Sequence, residues 1–176
     1  GVIVDVTLAR GVKVTTFEAH QRAVEMLARE LKPFRNVYLD VANERSVRDK
    51  RFVPFDELRQ LRDAIKAIDP QRLVTASDGG DVSQNEVREY LTTVKMDFVC
   101  PHRPRRATSP AETLTKTREY LAWMKALGRV VPVHYQEPLR RGWRPQQWEP
   151  AADAFRSDLQ QALAGGAAGW CFHNGD

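Results

Sequence analysis

Apolar and β-branched residues gather in six short runs along the chain, and segments with helical periodicity separate these runs. The runs cover 2–8, 36–42, 73–77, 97–100, 130–135 and 167–172. Apolar runs of this length, bounded by turn residues, predict buried strands. Six strands that alternate with helices predict an α/β fold made of parallel βαβ units.

The segments between the strands carry the spacing and the end signals of helices. Ser83 and Glu86 form a capping-box pair, and Ser109 is the predicted N-cap of a helix that has Pro110 at its first position. Gly128 marks the end of that helix. We expect His20, in the first helix, to lie at the surface. The predicted helices cover 16–31, 55–68, 84–94, 109–128 and about 150–164.

Polar side chains follow the strands at their C-terminal ends, and this decides between an open sheet and a barrel. In an open sheet such residues gather at one crossover, often beside a glycine-rich phosphate turn, and the chain has no GxGxxG or GxxxxGK[ST] motif. A ring of polar residues from successive strand ends is typical of a barrel mouth. The sequence therefore predicts a (β/α)8 TIM barrel. The polar strand ends are Asn43-Glu44, Asp78, His102, Glu137 and His173.

A barrel of this class has eight strands, and the sequence predicts six. We expect the first two strands to precede residue 1 and the last helix to follow Asp176. The chain would then hold strands three to eight, and residues 1–176 would form a single, incomplete catalytic domain. Six strands alone would expose two hydrophobic sheet edges.

Charge and cysteine content exclude several classes of partner. The net charge is +4, but the basic residues do not form a stripe with interleaved aromatic residues, so we expect no nucleic-acid partner. No apolar run is long enough to span a bilayer, and we expect no membrane partner. Cys100 and Cys171 lie in apolar runs without disulfide or metal-ligand spacing, and we expect two small buried thiols.

Two predicted strands end in a glutamate. NVYLDVANE ends in Glu44, and VVPVHYQE ends in Glu137. Retaining hydrolysis of a glycosidic bond needs two carboxyl groups about 5–5.5 Å apart, one protonated and one ionised. Strand ends of a closed barrel can point two such groups across its mouth.

The ordered set of strand motifs resembles clan A glycoside hydrolases, the superfamily that includes cellulase-like family-five enzymes. NVYLDVANE resembles strand four of that clan, and VVPVHYQE resembles strand seven. AAGWCFHNG is similar to strand eight, DFVCPH to strand six, and VIVDVTLARG then takes the place of strand three. The resemblance covers essentially the whole chain and implies a barrel that hydrolyses a poly- or oligosaccharide without a cofactor or metal.

The resemblance also implies a role for each matched residue. Glu44 would protonate the leaving oxygen and later activate water, and Glu137 would be the nucleophile of a double displacement. Asn43 would bind the sugar 2-hydroxyl, and Trp170 would stack on a sugar ring. His102 and Tyr135 would hold carboxylates or hydroxyls in place. A secreted or periplasmic location is favoured by the resemblance alone.

Three alternatives stay open at the level of sequence. The main rival is a catalytically silent TIM barrel that binds carbohydrate or a protein partner. A zinc site of His102, His134, His173 and Glu137 is disfavoured, because no two histidines have His-x-His or His-x-x-x-His spacing. Trp170 could equally fill the core, and Trp143 and Trp148 compete with it as a sugar platform.

Six arginines in two loops raise the prospect of an acidic sugar, because guanidinium groups bind carboxylates through paired hydrogen bonds. The alternative is that they pair with Asp78, Asp81, Glu149 and Asp153 and fix the loops. The six are Arg103, Arg105, Arg106, Arg140, Arg141 and Arg144.

Overall fold

Strands alternate with helices along the chain, as the hydrophobic pattern predicts. A computed structural model describes residues 1–142 and 148–173. The strands are β1 (Val4–Thr7), β2 (Val37–Asp40), β3 (Leu73–Thr75), β4 (Ser77–Asp78), β5 (Cys100–Pro101), β6 (His134–Tyr135) and β7 (Gly169–Trp170). The helices are α1 (Phe17–Glu30), α2 (Phe55–Ile68), α3 (Gln84–Arg88), a π-helical segment (Glu89–Val94), α4 (Ser109–Ala126) and α5 (Ala152–Gly165).

The chain forms two compact units. The first unit comprises Gly1–Asp78 and Glu89–Phe98, and the second comprises Gly79–Arg88 and Val99–Asp176. Among the residues that the structure describes, no helix has the length and apolarity of a membrane span.

A parallel three-stranded sheet in the order β1-β2-β3 is the centre of the first unit. Val6 aligns with Leu39, and Leu39 aligns with Val74. All four residues of β2 are buried, as expected for a central strand covered on both faces. Helix α2 packs its Leu58, Leu61 and Ile65 into the core, and the predicted bounds 55–68 for this helix are confirmed.

Helix α1 begins after Thr16, whose hydroxyl accepts a hydrogen bond from the Ala19 N–H. The expectation that His20 lies at the surface is wrong, because its side chain is fully buried. Its Nε2–H donates to the carbonyl of Val41 at 2.6 Å. Burial of the imidazole lowers the pKa of His20. The histidine takes the inner face of α1 together with Val24 and Ala28.

Parallel pairing also organises the second unit. Strand β6 pairs with β7 in parallel, with Tyr135 aligned to Trp170, and Val99 forms a parallel bridge with Val133. Within each unit the pairings between the predicted strands are therefore parallel and follow the order of the chain, as predicted.

Helix boundaries in the second unit differ slightly from the prediction. Thr108, not Ser109, is the N-cap of α4, and Ser109 is its first residue. Its hydroxyl instead accepts from the Arg106 N–H at 3.4 Å. The capping box of Ser83 and Glu86 is confirmed, since each residue's N–H donates to the other's side chain. Cys100 is buried as expected, but Cys171 is only half-buried.

Helices α4 and α5 approach closely at Gly165. A Cβ at Gly165 would lie 2.7 Å from the Thr117 Cβ and 3.0 Å from the carbonyl oxygen of Leu114. The second of these atoms belongs to backbone and cannot move aside cheaply. Glycine at this position therefore sets the distance between the two helices.

We predict that Gly165→Ala destabilises the protein by about 1–3 kcal/mol, the usual cost of overpacking. Thermal unfolding should show a fall of about 2–4 °C for each kcal/mol. Gly80→Ala is the matched control, because a Cβ at Gly80 meets no atom within 4 Å. Equal melting temperatures for the two variants would contradict the close approach.

Candidate active site

Glu44 lies in a tight turn that follows strand β2. Its backbone φ is 49°, in the left-handed region that a residue with a side chain seldom adopts. Its N–H donates to the Ser77 hydroxyl at 3.1 Å, and the next N–H, of Arg45, donates to the Ser77 carbonyl at 3.0 Å. Strained backbone of this kind, held by its neighbours, occurs often at functional sites.

The buried Asp40 carboxylate accepts hydrogen bonds from the backbone on both sides of the same turn. The Asp40 carboxylate accepts from the N–H groups of Ala42 at 3.1 Å and Ser77 at 3.2 Å. Asn43 donates its N–H to the Leu8 carbonyl at 2.7 Å, and its side-chain oxygen accepts from the Ser77 hydroxyl at 3.4 Å. Asn43 and Glu44 are both half-buried at the end of their strand.

The Glu44 carboxylate forms an ion pair with Arg51. Arg51 is itself held by Asp49, through Nε at 3.1 Å and Nη2 at 2.8 Å, and this pairing lowers the pKa of Asp49 to about 2. Arg45 follows Glu44 but turns inward, where its guanidinium lies 4.1 Å from the centre of the Phe55 ring.

Glu137 follows strand β6 by two residues, and several basic side chains surround its half-buried carboxylate. Its Oε2 lies 3.0 Å from Arg105 Nη2, 3.4 Å from His173 Nδ1 and 4.0 Å from His102 Nδ1. Arg105 Nη2 also approaches the Glu137 carbonyl at 3.4 Å. Burial lowers the pKa of His173, while Glu137 acts in the opposite direction.

His102 and Tyr135, the two predicted supporting residues, lie in different surroundings. His102 is buried, and its Nε2–H donates to Gln136 Oε1 at 3.2 Å while its Nδ1 faces Glu137. The Tyr135 hydroxyl instead lies 2.7 Å from Thr117 Oγ1 on α4, and burial raises its pKa to about 12. Of the two, His102 is the one whose ring contacts the predicted nucleophile.

Trp170 is half-buried and its indole N–H donates to Asp158 Oδ2 at 2.6 Å. The other oxygen of Asp158 accepts from the Thr113 hydroxyl at 2.5 Å. Burial raises the pKa of Asp158. Trp170 also lines a cavity of about 490 Å³, and the wall of this cavity is mostly apolar. The other lining residues are Arg141, Ala152, Phe155, Arg156, Leu159 and Phe172.

The loop arginines divide into buried and exposed groups. Arg103 is buried in an ion pair with Asp81 and donates to the Ser109 carbonyl at 3.1 Å. Arg141 is exposed and pairs with Glu149 at 3.3 Å. These two arginines pair with acidic side chains of the loops, as the alternative to a sugar-binding role expects, whereas Arg105 faces Glu137. Arg144 and Trp143 lie outside the described residues.

The histidines considered for zinc do not converge. His102 and His173 face Glu137, but His134 Nε2 lies 3.6 Å from Cys171 Sγ. In residues 1–142 and 148–173, no group of three or more His, Cys, Asp or Glu side chains is placed to hold a metal ion.

Sequence reasoning did not identify Arg51 and Asp158 as site residues, and it named Arg105 among the loop arginines but not as the partner of Glu137. Arg51 and Arg105 lie in polar loops, where nothing in the sequence distinguishes a glutamate's partner from a solvated charge. Asp158 did leave a signal, because it falls at helical spacing between Phe155 and Ala162 on the buried face of α5.

No family model matches the chain, and no curated protein matches it in sequence. Solved structures do match. An endo-1,4-beta-D-mannanase from Thermotoga petrophila is 16% identical, with a TM-score of 0.59 over 88% of this chain and 52% of its own. A 2,3-dimethylmalate lyase of the PEP mutase/isocitrate lyase superfamily is 14% identical, with a TM-score of 0.55 over 96% of this chain and 57% of its own.

Both matched proteins are TIM barrels, and this chain spans about half of their length. At these identities the likeness concerns the fold alone. It supports the predicted α/β class and a TIM-barrel-like arrangement of the strands and helices.

We predict that Asp158→Asn stabilises the protein at neutral pH. Burial raises the pKa of Asp158, so its contribution to stability is full below the ordinary carboxyl range and is lost as pH rises through the raised value. An asparagine can accept from Trp170 and donate to Thr113, and it carries no charge. We expect a melting temperature about 2–4 °C higher at neutral pH, with the difference shrinking as pH falls to about 4.

Asp153→Asn is the matched control for this test, because Asp153 is an exposed residue of the same helix. A lower melting temperature for Asp158→Asn at neutral pH would show that the charged form is needed for the contacts with Thr113 and Trp170.

Proposed function

We propose that this protein is a retaining glycoside hydrolase that cleaves O-glycosidic bonds of a poly- or oligosaccharide. The observation that carries the proposal is the position of Glu137. It is a half-buried carboxylate directly after a parallel strand, and His102, His173 and Arg105 face one of its oxygens. Hydrogen-bond donors on several sides hold a carboxylate in one orientation, and a nucleophile must be held in line with the carbon that it attacks.

Glu44 supplies the second carboxyl group of the proposal. It too follows a parallel strand, and its left-handed backbone is held by bonds to Ser77. Asn43, adjacent to it, is fixed by Leu8 and Ser77 in a half-buried position that suits a sugar hydroxyl. The fold likeness to an endo-mannanase agrees with this assignment.

In the proposed reaction, Glu44 protonates the glycosidic oxygen while Glu137 attacks the anomeric carbon. The C–O bond to the leaving group breaks, and an ester forms between the sugar and Glu137. Glu44 then takes a proton from water, which attacks the same carbon and releases Glu137. Two inversions give net retention. Trp170 stacks on a sugar ring, and His102 keeps the Glu137 carboxylate oriented.

The second candidate function is a catalytically silent TIM barrel that binds carbohydrate. One observation favours it: each proposed catalytic carboxylate is in contact with an arginine, Glu44 with Arg51 and Glu137 with Arg105. Ion pairs of this kind also serve to fix loops. The two candidates differ in turnover, and a panel of 4-nitrophenyl glycosides separates them.

We predict that Glu137→Ala abolishes hydrolysis of these glycosides, because the glycosyl ester cannot form. Added azide should restore turnover by occupying the vacated space and attacking the anomeric carbon directly. The product would be a glycosyl azide of inverted configuration, identified by NMR. Glu149→Ala is the control, since Glu149 is an exposed carboxylate that contacts Arg141 and the Gly142 N–H. Unchanged activity in Glu137→Ala would remove that residue from the mechanism.

We predict a different signature for Glu44→Ala. Rates on glycosides with poor leaving groups should fall by about 10²–10⁴-fold, the usual contribution of a general acid. Activated aryl glycosides should still form the ester on Glu137, and azide should then give a product of retained configuration. Glu25→Ala, on α1 and paired with Arg29, is the control. Glycosyl azide of inverted configuration from Glu44→Ala would exchange the two assigned roles.

If the wild-type protein binds saccharides but hydrolyses none of the panel, the silent barrel is the function. Net inversion in the wild-type product would instead exclude double displacement and assign a single-displacement reaction.

A further inference from the structure

A second cavity lies between helices α3 and α4, and none of its lining residues belongs to the candidate active site. Its volume is about 310 Å³, near the lower end of the range of small-molecule sites. Its wall is part polar and part apolar, which suits a ligand that carries both kinds of group. The lining residues are Gln84, Asn85, Arg88, Trp123, Ala126 and Leu127.

Helical spacing brings these side chains to the same place. On α3, Gln84 and Asn85 lie in the first turn, and Arg88 follows one turn later. At the end of α4, Trp123 is followed three and four residues later by the other two lining residues, so these three share one face of the helix. The cavity is therefore built from two regular elements, and no loop has to close over it.

Tyr120 connects the two segments beside this cavity. It is buried, and its hydroxyl accepts from the Val82 N–H at 3.1 Å and donates to Asp81 Oδ1 at 3.0 Å, just before α3 begins. Its ring meets the Trp123 indole edge to face, with the ring centres 5.8 Å apart. The Lys116 ammonium lies 6.0 Å from the centre of the same indole, at the outer limit of a cation–π contact. The indole is thus held in place without a ligand.

The polar groups of the wall are available to a ligand. In the part of the chain that the structure describes, no protein group hydrogen-bonds the side-chain amides of Gln84 and Asn85 or the indole N–H of Trp123. Both amides are exposed, and the indole is half-buried. Trp170 differs, because its indole N–H donates to Asp158. The N–H of a partly buried tryptophan usually finds a partner, and here a bound molecule can supply it.

We propose that this cavity is a second, non-catalytic binding site for a sugar ring of an oligo- or polysaccharide. The Trp123 indole supplies a flat apolar surface on which the C–H groups of the ring stack. Each carboxamide offers a donor and an acceptor, as a sugar hydroxyl does, so Gln84 and Asn85 bond hydroxyls at the edge of the ring. The inference rests on the proposed function for its class of ligand, and it uses neither Glu44 nor Glu137.

The first arm of the test measures binding at the indole itself. In isotope-labelled protein, NMR resolves the indole N–H signals of the four tryptophans, and Trp123→Phe assigns the relevant one. Titration with cellopentaose, mannopentaose and xylopentaose should shift this signal to saturation with at least one of the three. Glycerol is the control ligand, because it carries hydroxyls without a ring face, and it should leave the signal unmoved.

Variants of the wall test the assigned contacts, and all of them keep Trp123 as the reporter. Gln84→Ala and Asn85→Ala should each weaken binding a few-fold, the usual loss for one hydrogen bond, and the double variant at least about tenfold. Ala126→Trp adds bulk to the wall without removing a polar group, and it should abolish binding. Lys125→Ala is the matched control, because Lys125 is exposed in the same turn of α4 and does not line the cavity.

The second arm separates this cavity from the candidate active site. Glu137→Ala should leave the saccharide response of Trp123 unchanged, because no residue around Glu137 lines the cavity. The double variant of Gln84 and Asn85 should keep the wild-type kcat/KM on a 4-nitrophenyl glycoside, which is too short to need a second site.

The outcomes separate the two proposals. No response of Trp123 to any of the three saccharides, together with hydrolysis of glycosides, would overturn the inference while the glycosidase function stands. An equal response to glycerol, or binding that survives Ala126→Trp, would also overturn it. A saturable response of Trp123 that depends on Gln84 and Asn85, without any hydrolysis, would support the sugar site and remove the proposed reaction.

Discussion

Parallel hydrogen bonding between short strands is the constraint on which the candidate site depends. Parallel strands end at the same edge of their sheet, so the residues that follow them lie side by side. In the first unit, β2 and β3 bring Glu44 and Ser77 together, and the buried Asp40 carboxylate bonds backbone N–H groups of both segments. In the second unit, β6 and β7 bring Glu137 and His173 within 3.4 Å.

Charged groups near these strand ends are buried together with their partners. Arg103 lies between Asp81 and the Ser109 carbonyl, and Arg45 lies over Phe55. Asp158 differs from these residues, because the hydrogen bonds described for its carboxyl group come from neutral donors, Thr113 and Trp170. Burial raises the pKa of Asp158. Burying charged groups carries a desolvation penalty, so these charges do not serve stability alone. Their concentration at strand ends accords with a site that needs fixed electrostatics more than it needs maximal stability.

Much of the fold is predictable because it is local. The spacing of Leu58, Leu61 and Ile65 defines α2 to the residue, and each apolar run contains or adjoins a strand. The burial of His20 was not predictable, because its partner is a carbonyl on a distant segment, that of Val41. The same holds for the site: position after a strand identifies Glu44 and Glu137, but the arginines that contact them, Arg51 and Arg105, come from loops whose paths no periodicity describes.

The contact between His134 and Gly169 has a consequence for tracing the ancestry of this chain. A Cβ on Gly169 would lie 2.2 Å from His134 Nδ1, so the imidazole occupies the space of the missing side chain. We therefore expect the two positions to vary jointly, with a larger residue at 169 accompanied by a smaller or differently oriented one at 134. Such reciprocal exchange on neighbouring strands would be a recognisable mark of descent even among homologues too divergent for overall sequence similarity to reveal.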